Sequence, residues 1–203
     1  MDYPPVVKLY HNPWPDTVPN DLLLGILDTA AHNAASDLQT MIDRGEVDPS
    51  RNSFGMVFLD PTNPRGVTKL AKLILATIEL GPRGTDYLPN AAAKADAHHR
   101  HGMPNGALLQ EGNFSLGDGD FAWGHSARYG TAIGGGSGLS AEQDYNLTYA
   151  TLEEVMTRVH NERQRFLSER RKQGKHGWFN AANMPPEQYV LCFAGPYRTP
   201  KRV

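Results

Sequence analysis

The chain has 203 residues, of which 39% are hydrophobic and 21% charged, and its formal net charge is -2 at pH 7. This composition is typical of one globular domain, and it excludes a disordered chain and nucleic-acid binding through a strongly basic surface. The single cysteine, Cys192, excludes an intramolecular disulfide bond. Because no apolar run approaches the length of a membrane span and the N-terminus lacks a signal-peptide pattern, we expect a cytoplasmic protein.

The first 80 residues predict an extended arm, two helices and a strand. Five prolines lie within residues 1–19 and favour extended backbone. Apolar residues recur at three- and four-residue steps from Asn20 to Arg44, which predicts the first helix. The apolar segment Ser53–Leu59 is bounded by turn residues and predicts a buried strand. A second helix is predicted over Val67–Leu80. Its proposed buried face consists of Leu70, Leu73, Ile74, Thr77 and Ile78.

The remainder of the chain predicts a third helix, several strands and one long helix. The third helix is expected over Tyr87–His101 and to end at Gly102 and Pro104. Ser140 and Gln143 form a capping-box pattern, which opens a helix that reaches Lys172. Between these helices lie four strand-like segments: Gly106–Gln110, Asn113–Leu116, Phe121–His125 and Arg128–Ile133.

This order of elements predicts an α+β fold, with a central antiparallel sheet flanked by helices, a long C-terminal helix and extended terminal arms. We expect three parts: a proline-rich arm over 1–19, the domain itself over 20–173, and a C-terminal extension over 174–203. The arm with Trp14 and the apolar tail Tyr189–Phe193 exceed what one domain of this size requires for its core. Apolar segments of this kind mark interfaces, so we expect a homo-oligomer.

A cluster of basic side chains lies in the third predicted helix. Lys94, His98 and His101 are separated by four and three residues and therefore share one helical face. Two imidazoles at this spacing can share a divalent metal ion or act as a general base, and Lys94 can bind an anion beside them. The alternative is that these cations gather at a helix C-terminus because the macrodipole favours positive charge there.

A glycine-rich run precedes the long helix. We expect Gly134, Gly135, Gly136, Ser137 and Gly138 to form a loop between a strand and the helix. Backbone N–H groups in such a loop, together with a helix N-terminus, can bind a carboxylate, a phosphate or another oxyanion. The alternative is a structural corner that requires glycine for positive φ and for close backbone approach.

A third group of polar side chains is confined to ten residues of sequence. Asp120 can orient His125 as a general base, and Tyr129 is a further candidate catalytic residue. Arg128 can hold a carboxylate, and Trp123 offers an apolar contact for a ligand. The alternative is that each of these side chains has only a structural role.

From about Ser53 to Val159 the chain resembles the GlcG/HbpS-like family of haem-binding and haem-degrading-type domains. The matching segments are Gly55–Asp60, Ala93–Ala95, and Gly130–Gly138 with the downstream pair Gln143 and Asp144. The resemblance implies a compact domain with a central antiparallel sheet and a tendency to form homo-oligomers. It also implies that haem, or another small planar or acidic molecule, binds near the glycine run.

These observations favour two classes of function. The first is a small-molecule-binding protein whose ligand is haem or an acid. The second is a lyase, isomerase or decarboxylase that uses histidine acid–base chemistry or a divalent metal ion on an acidic substrate. A non-catalytic structural subunit is a third alternative. In each case we expect no nucleic-acid or membrane partner.

Overall fold

A computed structural model describes residues 3–63, 69–111 and 124–174 of the chain. The chain divides into two compact units, Met1–Val159 and His160–Val203. Helix α5 begins in the first unit and ends in the second. The helices among the described residues are α1 (Asn20–Asp43), α2 (Leu70–Leu73), α3 (Gly84–His101), α4 (Asn105–Glu111) and α5 (Ala141–Lys172), with a short 3₁₀ helix at Pro49–Arg51.

The first unit is built on a five-stranded antiparallel sheet with the order β1-β3-β2-β5-β4. The strands are β1 (Val6–Leu9), β2 (Phe54–Leu59), β3 (Ile74–Leu80), β4 (Ser126–Tyr129) and β5 (Ala132–Ser137). The predicted α+β architecture, including the long helix before the C-terminus, is confirmed.

Two hydrophobic clusters lie against the sheet. In the larger cluster, apolar side chains of α1 and the first half of α5 pack on residues such as Phe54 and Ile78. In the smaller cluster, Ala91 and Ala95 of α3 pack on Val57 and its neighbours. Because small alanines form the helical side of this contact, the α3 backbone comes close to the sheet.

The proline-rich arm is extended, and it belongs to the fold of the first unit. Its residues Val6–Leu9 form the edge strand β1 and pair with β3. Trp14 and Val18, which follow the strand, are buried in the larger cluster. The burial of Trp14 within its own chain removes one argument for an oligomer, and the homo-oligomer itself stays a prediction.

The predicted second helix over Val67–Leu80 is wrong for most of its length. Within the described residues 69–80, Leu70–Leu73 alone is helical, and Ile74–Leu80 is strand β3. Strand β3 lies between β1 and β2 and is buried at six of its seven residues. Because both faces of the strand are buried, the polar-apolar alternation that marks a half-exposed strand is missing, and the spacing of its aliphatic residues resembles a helical face.

Two of the predicted strand-like segments also differ from the structure. Gly106–Gln110 lies in helix α4, whose first turn is closed by a 2.9 Å hydrogen bond from the Leu108 amide to the Pro104 carbonyl. Arg128–Ile133 is divided between β4 and β5, because Gly130 adopts a positive φ of 60° and turns the chain. The segment Asn113–Leu116 and most of Phe121–His125 lie outside the described residues.

The buried carboxylate of Asp60, directly after β2, contacts His11 of the arm. Asp60 accepts hydrogen bonds from the Thr62 amide and hydroxyl at 2.8 and 2.7 Å, and from the Asn63 amide group at 2.6 Å. The second oxygen of Asp60 lies 2.8 Å from Nε2 of His11, whose Nδ1 lies 3.1 Å from the Ile74 carbonyl. Each Asp60 oxygen therefore has two donors, and its acceptor capacity is filled.

This arrangement makes part of the stability depend on pH. Burial raises the pKa of Asp60, but the hydrogen bonds from His11 and Thr62 outweigh it, so that the pKa of the folded protein lies below the ordinary 3.8. The stabilisation is fully present above the unfolded pKa of about 3.9 and is lost as the pH falls through the lowered folded pKa. We expect the free energy of unfolding in urea to decrease below about pH 4.

We expect the free energy of unfolding to decrease less in acid for Asp60→Asn, because the asparagine side chain cannot take up the proton. Thr62→Ala, which keeps the amide donor but loses the hydroxyl, should show an intermediate decrease. An Asp60→Asn protein whose stability decreased as steeply in acid as that of the original chain would show that Asp60 is not responsible.

Candidate functional site

The most distinctive polar contact of the first unit is a buried ion pair between α3 and α5. Nζ of Lys94 lies 2.6 Å from Oδ2 of Asp144, and the two side chains are 3% and 5% exposed. The same ammonium donates a 2.8 Å hydrogen bond to the carbonyl of Gly136 in β5. Lys94 therefore joins α3 to β5 and to α5, whose contacting residues lie 42 and 50 positions further along the chain.

Asp144 is held in place from the α5 side. Its Oδ1 accepts a 2.8 Å hydrogen bond from the amide of Leu139, which lies five residues before it and just ahead of α5. The predicted capping box is present, since Ser140 and Gln143 exchange backbone-to-side-chain hydrogen bonds. Burial raises the pKa of the Asp144 carboxyl; the Lys94 ammonium and the Leu139 amide lower it, with the net direction upward.

Lys94 and Asp144 form one wall of a cavity of about 350 Å³. Asn90 of α3 lies one turn before Lys94 and lines the same cavity, as do Ser137 and Ser140 from the connection between β5 and α5. An ammonium group has three donors. Two N–H groups of Lys94 are used by Asp144 and Gly136, and no residue within 3–63, 69–111 or 124–174 accepts the third.

Arg51 provides a second cation at this cavity. It ends the 3₁₀ helix, is exposed, and is one of the residues that line the cavity. Its guanidinium lowers the pKa of Asp144 through space. Among the described residues its guanidinium makes no hydrogen bond or ion pair, so the side-chain donors remain available to a ligand. Arg51, Lys94 and Asp144 together give the cavity one net positive charge.

The glycine run does not form the predicted loop. Gly134, Gly135, Gly136 and Ser137 lie inside β5, which pairs with β2 on one side and with β4 on the other. Their backbone N–H and C=O groups therefore belong to the strand pairing of the sheet. An ideal β-carbon on Gly135 would overlap the Ala91 carbonyl of α3, and one on Gly136 would lie 2.6 Å from the Phe54 ring.

Glycine is thus required in β5 for close packing on both faces. The anion-binding role of the run stays a prediction. Only the end of the run meets the cavity, where Ser137 lines it. Gly138, with a φ of 139°, then leads the chain towards α5.

The histidines of α3 have structural partners of their own. His98 is fully buried, and its Nδ1 lies 2.9 Å from the Ser126 hydroxyl of β4. His101 lies next to Arg100, with 3.2 Å between Nε2 and Nη1. Within the described ranges, no three His, Cys, Asp or Glu side chains are grouped as metal ligands. The metal and catalytic roles of His98 and His101 stay predictions.

The third predicted group is not assembled at the Lys94 cavity. His125 contacts Tyr145 edge to face, with ring centroids 6.4 Å apart. Tyr129 accepts a 3.4 Å hydrogen bond from the Thr157 hydroxyl. Arg128 lines a different cavity, near the other end of β5. Asp120 and Trp123 lie outside the described residues.

Besides Asp144, the polar residues that line the Lys94 cavity without being site candidates in the sequence are Arg51, Asn90 and Ser140. Asn90 precedes Lys94 by four residues and could have been placed beside it from helical spacing. Arg51 lies in a short turn far from the other site residues in sequence, and no pattern connects it to them.

No described helix has the length and apolarity that a membrane crossing requires. No protein-family model, no curated protein sequence and no solved structure matches the chain. The resemblance to GlcG/HbpS-like domains stays a prediction.

Proposed function

We propose that this protein binds a small carboxylic acid in the Lys94 cavity. The observation that carries the proposal is the ammonium of Lys94, which is 3% exposed, lines the cavity, and has one N–H group without an acceptor in the described part of the chain. A buried polar group without a partner costs free energy. A ligand oxygen in the cavity would remove that cost.

The charge of the cavity favours an anion. Arg51 at its edge offers the planar pair of donors that matches a carboxylate. Ser137, Ser140 and Asn90 add neutral hydrogen-bonding groups. Ala141, the first residue of α5, also lines the cavity. The N-terminus of this 32-residue helix favours negative charge.

The size and chemistry of the cavity favour a small acid over haem. A volume of about 350 Å³ is near the lower end of the range for small-molecule pockets. Haem iron requires an axial ligand, usually an imidazole, thiolate, thioether or phenolate. The described residues that line this cavity include none of these groups, so they do not fit haem. We propose that the acid is bound in the cytoplasm by a homo-oligomer of this chain.

The experiment is a calorimetric titration of the full chain with succinate, citrate and benzoate. We expect at least one of them to bind saturably, and Arg51→Gln to weaken that binding about tenfold, which corresponds to about 1.4 kcal/mol. Because Arg51 is exposed, its contribution should decrease as salt is added.

Arg44→Gln is the matched control, since Arg44 is an exposed arginine that does not line the cavity. It should bind the acids as the original chain does. If none of the three acids binds, or if Arg51→Gln binds them with unchanged affinity, the proposed site is wrong.

A second candidate function is acid–base catalysis on the bound acid. The observation that favours it is the 2.6 Å contact between Lys94 and Asp144 at the cavity wall, where burial raises the pKa of Asp144 and a proton can pass between the two groups. Proton NMR of the bound acids in D₂O tests it. Loss of a C–H signal next to the carboxylate, abolished in Asp144→Asn, would show catalysis, whereas unchanged signals would leave binding alone.

A further inference from the structure

A second cavity, of about 240 Å³, lies at the opposite end of β5 from the Lys94 cavity. Arg128 and Thr131, from the β4–β5 hairpin, line it together with His99 near the end of α3. His99 is buried, with only 3% of its surface exposed. The apolar part of the wall is formed by Leu59, Pro61 and Ile133.

Arg128 is held in position with its binding edge available. Its Nε donates a 2.7 Å hydrogen bond to the Gly130 carbonyl within the same hairpin. Its two terminal nitrogens have no hydrogen-bond or ion-pair partner in residues 3–63, 69–111 and 124–174. A guanidinium anchored through Nε has lost part of its conformational freedom, so less entropy is lost when a carboxylate binds to the two Nη groups.

The nearby carboxylate does not neutralise this arginine. Asp60 lines the cavity, but four hydrogen bonds from His11, Thr62 and Asn63 fill its acceptor capacity. No ion pair joins Asp60 to Arg128. The negative charge of Asp60 still faces the cavity, where it repels a second negative charge on a ligand.

From these contacts we infer that the chain has a second binding site, which takes a small monocarboxylate with an apolar tail. The carboxylate lies against Arg128 and the Thr131 hydroxyl, and the tail packs on Leu59, Pro61 and Ile133. The cavity volume restricts the ligand to a few carbon atoms. The sequence predicted a single site containing both Lys94 and Arg128; the structure assigns these two cations to different cavities.

Butyrate is the probe, and backbone amide NMR of the full chain is the measurement. We expect saturable shifts of the Thr131 and Ile133 amides as butyrate is added. Arg128→Gln should weaken this binding at least tenfold, while Arg83→Gln, an exposed arginine outside the cavity, should not change it. Inorganic phosphate, which carries more negative charge at pH 8, should bind more weakly than butyrate.

The test separates this site from the Lys94 cavity. Arg51→Gln should leave the butyrate-induced amide shifts of Thr131 and Ile133 unchanged. These shifts should also be seen if no acid binds in the Lys94 cavity. The inference is overturned if butyrate gives no saturable shift at Thr131 and Ile133, if Arg128→Gln binds butyrate normally, or if phosphate binds as well as butyrate. Because Arg128 is exposed, its replacement is not expected to prevent folding.

Discussion

Replacing Lys94 with methionine is expected to lower the free energy of unfolding by about 3–5 kcal/mol. Methionine fills a similar volume but leaves the Asp144 carboxylate buried, 5% exposed and without its counter-ion. It also removes the donor to the Gly136 carbonyl. Urea denaturation, followed by circular dichroism at neutral pH, measures the loss.

The double variant Lys94→Met/Asp144→Leu is the control, because it removes both charges together. Replacing a buried ion pair by apolar side chains is often neutral or stabilising. We expect the double variant to regain most of the stability lost by the single one, and to have lost the Lys94 cavity's affinity for acids. A single variant as stable as the original chain would contradict the buried ion pair.

Placing alanine at Gly135 is expected to cost about 3 kcal/mol or more, because the new β-carbon would overlap the backbone carbonyl of Ala91. A backbone carbonyl cannot relieve the overlap by changing rotamer, as a flexible side chain can. Either α3 or β5 must therefore move, and both carry residues beside the two cavities. Thermal denaturation should show a large decrease in melting temperature.

Gly25→Ala is the matched control within the same chain. Gly25 is exposed in α1, and a β-carbon there has no heavy atom within 4 Å. Alanine is the better helix former, so this variant should gain about 0.5–1 kcal/mol. If both alanine variants proved equally stable, the close approach of α3 to β5 would be incorrect.

Sequence patterns predict the elements that have one exposed face or turn residues at both ends; strand β2 is buried at all six residues but is bounded by turn residues. Helix α1 shows its apolar stripe, α3 ends at Gly102 with a positive φ, and the capping box at Ser140 opens α5. The prediction of a helix over β3 is wrong for two reasons: burial on both faces removes the polar-apolar alternation, and, unlike β2, the strand follows the helical residues Leu70–Leu73 with no turn residue between them.

The candidate site was predicted in part. Helical spacing selects Lys94 as an anion-binding residue, and the Lys94 cavity is consistent with that role; the metal site predicted at His98 and His101 beside it stays a prediction. The partner of Lys94, Asp144, lies on α5, and local spacing cannot show a contact between residues so distant in sequence. The sequence predicts a loop for the glycine run, because three successive glycines are unusual in a strand. Glycine is required there because α3 approaches β5 closely, and such a tertiary contact cannot be predicted from local sequence.

The order of the strands has a consequence for synthesis of the chain. Strand β2 finds one partner, β3, soon after it leaves the ribosome, but its other partner is β5. Until residues 132–137 are made, the second edge of β2 presents unpaired N–H and C=O groups from the apolar segment Phe54–Leu59. An open apolar edge is a template for pairing with another nascent chain. The glycine-rich strand, made late, is therefore also the element that closes this edge.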